Sequence, residues 1–88
     1  MSYGTEMLED TVKVLKDRGA SYGPIKQNHE RIAALWSTIL EHPITPVQVA
    51  MCMVLVKMAR LMETPNHRDS AVDIAGYAAC IYECQQDF

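Results

Sequence analysis

The chain is poor in residues that build loops or covalent staples. Its 88 residues include four glycines, four prolines and three cysteines, Cys52, Cys80 and Cys84. So few turn-formers exclude a loop-rich protein. An odd number of cysteines excludes a fully paired disulfide framework; with no secretory leader evident, a reducing bacterial cytoplasm is the expected compartment. Cys80 and Cys84 lie four apart on one helix face, and with one distant third cysteine they make a poor zinc pattern. No apolar run reaches the ~18 residues that a membrane span needs, so no membrane partner is expected. Basic residues are not in excess: eight Lys and Arg against eleven Asp and Glu give a net charge of −3. That balance argues against general nucleic-acid binding and leaves room only for a local basic pocket. There is no strand-like alternation, internal repeat, low-complexity tract, Gly-rich phosphate loop or His-Glu zinc signature. Nor do Ser21, Ser37 or Ser70 stand in a His-plus-acid arrangement that would make a nucleophile.

What the sequence does have is apolar helical periodicity, with 49% hydrophobic residues. A domain this small buries only roughly 60–65% of the surface its unfolded chain exposes, so its core is marginal. Small domains usually compensate with staples, metals or association.

The spacing predicts four helices in one all-α domain over residues 1–88. Leu8, Val12 and Leu15 make an i, i+4, i+7 stripe on a first helix from about Thr5 to Arg18. Gly19 is the expected stop, with 19–23 as a loop. A second helix is expected from Pro24 to about Glu41, carrying Ile25, His29, Ile32, Leu35 or Trp36, and Ile39, and ended by His42-Pro43. Thr45-Pro46-Val47-Gln48 is a capping box that opens a third helix to about Met62. From Val47 to Met62 that helix is apolar almost all round, interrupted by Gln48, Lys57 and Arg60. A helix apolar on every side is buried on every side, and a chain this short has little material to do it, so a homo-oligomer is expected. A fourth helix is predicted from Asp69 or Ser70 to about Gln85, opened by Ser70-x-x-Asp73. Its small residues Ala71, Ala75, Gly76, Ala78 and Ala79 permit close approach by a neighbour.

Two polar groups stand out. Lys57 and Arg60 share a face of the most apolar helix and need anions nearby. Asp69 and Asp73 share a face of the next helix, with Tyr77 one turn on. The short connection makes the two helices antiparallel neighbours, so Arg60 is expected to meet Asp69 or Asp73. This set reads equally as a structural ion-pair network or as a site whose cations take phosphate. Mg²⁺ sites use one or two carboxylates plus substrate phosphates; Asp69 and Asp73 would serve, with Glu30 and Glu63 in reserve. The second group is Ser21-Tyr22-Gly23-Pro24 with Lys26, Asn28, His29 and Arg31. Here Gly23 and the helix start would offer backbone N–H groups to an anion and Lys26 would add charge, unless this is simply a turn with solvated charges. His29 reads as a hydrogen-bonded core-edge residue, Trp36 as a core anchor, and His67-Arg68 as a turn or a lip over the site.

Several segments carry a family likeness: Arg18-Gly-Ala-Ser-Tyr22-Gly23, Asn28-His-Glu-Arg31-Ile-Ala-Ala-Leu-Trp36, Lys57-Met-Ala-Arg60, and His67-Arg-Asp69-Ser70-Ala-Val-Asp73-Ile-Ala-Gly76-Tyr77. Over roughly residues 15–80 these resemble a small domain family of phages and prophages whose function is not assigned. More distantly they resemble the all-α NTP pyrophosphatase (MazG-like) superfamily. That likeness implies a helical homo-oligomer that holds Mg²⁺ on acidic helix motifs. Asp69 and Asp73 match the second acidic motif. The Glu-Glu-x-x-Glu first motif is absent, with Asn28 and Glu30 in its region. The departure implies nucleotide binding without hydrolysis. By analogy of context, the resemblance suggests a phage sponge that sequesters a host immune signal, a cyclic dinucleotide or an ADP-ribose-type nucleotide. On that reading the ligand is held, without a cofactor, by Tyr22, Gly23, Lys26, Asn28, Lys57, Arg60, His67, Asp69, Asp73 and Tyr77. The alternatives are a Mg²⁺-dependent pyrophosphohydrolase using Asp69, Asp73 and Glu30, and an interaction protein whose charges form only a buried network.

Overall fold

In the computed structural model, residues 2–86 are described and fold into four helices. Helix α1 spans Tyr3–Tyr22, α2 Ile25–Leu40, α3 Pro46–Glu63 and α4 Arg68–Gln85. None of them is long and apolar enough to cross a membrane.

The helix ends obey local chemistry, though not always at the expected residue. Ser2 caps α1 by accepting from the Thr5 N–H at 3.1 Å. The helix then runs through Gly19, so the loop expected over 19–23 is helical as far as Tyr22. The stop is Gly23, at φ 78° and ψ −167°, a backbone region open essentially to glycine alone. Pro24, which follows, becomes the N-cap of α2 and not its first residue. Helix α2 ends on Glu41 in the left-handed region, φ 53°. There Ser37 Oγ donates to the Ala33 carbonyl at 2.7 Å and accepts from the Ile44 N–H at 2.8 Å, folding the connector back onto the helix. The capping box of α3 is complete: the Gln48 N–H reaches Thr45 Oγ1 at 3.1 Å, and Gln48 Oε1 accepts from the Thr45 N–H at 2.9 Å. Helix α4 departs from expectation. Its cap is His67, whose Nδ1 accepts from the Ser70 N–H at 3.2 Å. Ser70 is therefore inside the first turn and fully buried, not the start of a capping box.

Helices α3 and α4 form an antiparallel hairpin that is the most extensive pairing in the molecule, with α1 packed on α4 and α2 laid against both. Helix α1 meets α4 at Gly76, where a Cβ would sit 3.9 Å from Thr11 Cγ2, an ordinary contact. Thr11 is buried and turns its hydroxyl back to the Met7 carbonyl at 2.8 Å, which satisfies it inside the contact.

The core is thin. Its buried apolar members are Ala33, Val49, Ala50, Val72 and Cys80. Helix α3 resolves into two faces. Val49, Ala50, Met53, Val54, Lys57 and Leu61 turn inward, whereas Met51, Leu55, Met58 and Met62 form an exposed i, i+4, i+7, i+11 stripe. Leu35 and Ile39 of α2 are exposed as well. The accessible surface is 6369 Å². A compact monomer of this 9.9 kDa mass exposes about 5,200 Å². The excess, about 1,200 Å², is close to what one partner contributes to a stable dimer.

Candidate functional site

The structure divides the expected site in two. One part is a cleft of about 190 Å³ to which all four helices contribute. Of the expected site residues, Tyr22, Gly23, Asn28 and Tyr77 line it. Among the cleft residues outside the expected site are Arg18, His29 and Trp36. Arg18 is four residues before Tyr22, so the two share a face only if the helix continues past Gly19. Assigning 19–23 to a loop hid that pairing. The walls between these polar groups are Leu15, Ile25, Ile32, Val49, Met53 and Cys80. Apolar walls with a few converging polar groups are the usual make-up of a small-ligand site, although this volume lies below the ~300–1,000 Å³ of drug-sized pockets. A smaller hollow of about 40 Å³, bordered by Arg18, Asp73, Gly76 and Tyr77, adjoins it.

Cys80 sits at the back of both spaces. Burial pushes its thiol up to about 11, and the Cys84 thiol nearby adds to the rise. The Arg18 charge works in the opposite direction. Cys84 is also raised, again chiefly by burial. Neither is a reactive nucleophile, which would need a lowered pKa. Cys52 is free and exposed.

The second part is the α3–α4 polar seam. Lys57 Nζ lies 3.1 Å from Asp73 Oδ2, as an antiparallel hairpin requires, with both side chains about three-quarters buried. Arg60 does not reach Asp69 or Asp73. Its guanidinium lies 3.5 Å from His67 Nε2, because the N-cap geometry brings the His67 ring, and not an aspartate, opposite it. Asp69 points to solvent in the first turn of α4. A further ion pair joins Arg68 to Asp10 at 2.6 Å and ties α4 to α1.

Two groups expected to bind an anion make bonds within the chain. The Gly23 N–H donates to the Gly19 carbonyl at 3.0 Å and is not presented outward. Lys26 donates to the Gln86 carbonyl, so its ammonium holds the end of α4 against α2. The metal reading meets a similar obstacle. Among the described residues no three of His, Cys, Asp and Glu converge on one point. Asp73 is engaged by Lys57, and Asp69 and Glu30 are exposed. Asp69, Asp73 and Glu30 thus do not fit a Mg²⁺ site within one chain.

Fold and cleft together define a small four-helix protein with an aromatic-lined cavity beside a half-buried ion pair. The chain belongs to the family described as domain of unknown function DUF6378, whose model matches residues 6–85. It is similar to the Gene 55 protein of Mycobacterium phage L5, 48% identical over 69 residues that cover 77% of this chain and 44% of that protein. The Gene 55 protein of Mycobacterium phage D29 is 41% identical over 76 residues, covering 85% of this chain and 50% of its own length. The chain therefore spans about half the length of the curated relatives it matches. No solved structure matches it.

Proposed function

We propose that this protein binds a small nucleotide-like ligand without transforming it, as a homo-oligomer in the cytoplasm of a bacterial host. The observation that carries this reading is the cleft: three aromatic residues, Tyr22, Trp36 and Tyr77, around apolar walls, with Arg18 among the lining residues. Aromatic rings offer stacking faces to a planar base, and a guanidinium is suited to bidentate capture of phosphate. By analogy of context alone, the proposal extends to a sequestering role, in which a host nucleotide signal is held and withdrawn. A MazG-like arrangement of the helices is the finer form of the same reading, with the metal-holding acids thinned to a structural pair.

Association is argued from surface. The excess exposed area and the Met51, Leu55, Met58, Met62 stripe suit a second copy of this chain, since a two-fold contact sets one apolar stripe against its equal.

Native mass spectrometry of the protein purified from infected, defence-active cells tests both statements at once. The expected spectrum has a dimer or higher mass with a retained phosphorylated ligand. Calorimetry with cyclic dinucleotides, cyclic ADP-ribose isomers and nucleoside triphosphates should give binding that EDTA leaves intact and that Tyr77→Ala weakens. Hydrolysis of a triphosphate, stopped by EDTA and by Asp73→Asn, would replace this reading with the pyrophosphohydrolase. No binding across the panel would leave an interaction protein.

A further inference from the structure

His29 is the most enclosed polar group of the cleft, with only 5% of its surface exposed. Its Nδ1 lies 2.9 Å from the Ile25 carbonyl oxygen, one turn back on α2. A carbonyl only accepts, so Nδ1 carries the proton. In the neutral ring Nε2 is then a lone-pair acceptor, fixed in place by the bond on the other side of the ring. Among the described residues, no group donates to Nε2. It is also not sealed in, because no fully enclosed side-chain nitrogen or oxygen among the described residues lacks a partner. The ring itself lines the cleft.

An acceptor in such a place is costly to leave unmatched and selective once matched. Asn28, the preceding residue, lines the same cleft, and its amide makes no side-chain hydrogen bond within the described chain. The volume of about 190 Å³ exceeds the ~150 Å³ cavity that accepts benzene, so it admits a single ring or a small fused pair. A plain hydrocarbon ring would fill the space and leave Nε2 without a donor. A nucleobase edge supplies one.

We infer that His29 Nε2 accepts a hydrogen bond from an N–H on the edge of a nucleobase seated in the cleft, so that the site distinguishes donor-bearing bases from rings of the same shape without a donor. This rests on the small-ligand reading above and deepens it. His29 acts as a specificity residue: it touches the ligand and takes no part in chemistry.

The test uses the intact protein at pH 8, where an ordinary imidazole is neutral. Trp36 is the sole tryptophan and lines the cleft, so its fluorescence reports occupancy. Adenosine, cytidine, guanosine and uridine are titrated against two matched analogues without the base-edge N–H, purine riboside for adenosine and N3-methyluridine for uridine. For whichever of these two parents binds, the donor-free analogue is expected to be roughly 10-fold weaker or more. His29→Phe keeps a ring in place and removes the acceptor; it should weaken the parent and erase the difference between parent and analogue. A two-bond proton–nitrogen spectrum of the wild-type imidazole keeps the test independent of whether that variant folds. It should show protonated Nδ1 and bare Nε2 in the free protein, with the Nε2 resonance moving when the nucleoside is added. Quenching by a parent nucleoside with equal affinity for its analogue, or an unmoved Nε2 resonance, would overturn the inference while leaving ligand binding intact. Trp36 unquenched by all four nucleosides, or quenched better by indole than by any of them, would overturn the nucleotide reading along with it.

Discussion

Leu55→Glu separates association from folding. Leu55 lies in the middle of the α3 stripe and is 63% exposed within its own chain. Burying a whole leucine side chain stabilises by ~1.5–3 kcal/mol, so covering the exposed share is worth about 1–2 kcal/mol per copy. In a two-fold contact the residue occurs twice, giving roughly 2–4 kcal/mol. At 1.4 kcal/mol per decade, losing that weakens dimerisation by about 30- to 700-fold. Burying two carboxylates near the axis adds to the loss. The single chain should hardly notice, because the position already faces water and glutamate is a good helix former. Sedimentation velocity across a concentration series from nanomolar to tens of micromolar, with circular dichroism alongside, reads both quantities. The wild type should sediment as a dimer or larger at micromolar concentration, and Leu55→Glu should shift toward monomer with its helicity kept. A wild type that remains monomeric at tens of micromolar would refute the reasoning, as would an unchanged assembly in Leu55→Glu. The second outcome would place the contact on another surface, such as Leu35 and Ile39 of α2.

Three further outcomes are expected. Asp73→Ala should cost about 1–2 kcal/mol in chemical denaturation, between the values for exposed and fully buried pairs, since both side chains of the Lys57–Asp73 pair are about three-quarters covered; Lys57→Met together with Asp73→Leu should recover much of that, and an unchanged midpoint in Asp73→Ala would show that the pair is idle. Gly23→Ala meets no steric neighbour, so its cost is backbone strain alone, of order 1–3 kcal/mol, and a neutral result in thermal melts would contradict the φ of 78°. For Cys80, the folded thiol near 11 lies above its ordinary value of 9.0, so the unfolded chain ionises first as pH rises. The stabilisation this group provides is whole below pH 9 and is lost as pH climbs through about 11, by up to roughly 2 kcal/mol; Cys80→Ala should flatten that part of the pH–stability curve, and identical curves would exclude the shift.

The sequence by itself determined the helical class, the number of helices and the antiparallel α3–α4 hairpin. Local chemistry sufficed for these: the Thr45–Gln48 capping box, the 3.6-residue apolar period, and the short connector after Pro65 act over a few residues. A pairing of Lys57 with Asp69 or Asp73 was legible for the same reason; that the partner is Asp73, and that Arg60 faces His67 instead, was not. Where two local signals competed, only the tertiary structure decided. Gly19 read as the stop of α1, yet the helix runs through it to Tyr22 and ends on Gly23. Ser70 read as the opening of α4, but it is buried inside the first turn and the cap is His67, which the sequence offered only as a turn or a lip. The candidate site depended on these choices. One extra turn of α1 sets Arg18 and Tyr22 in a cleft with His29, Trp36 and Tyr77, while Lys26 and the Gly23 N–H are drawn into bonds within the chain. A cavity is bounded by side chains far apart in sequence, so no spacing rule encodes it. Its place depends on how four faces meet, and that is a property of the packed chain.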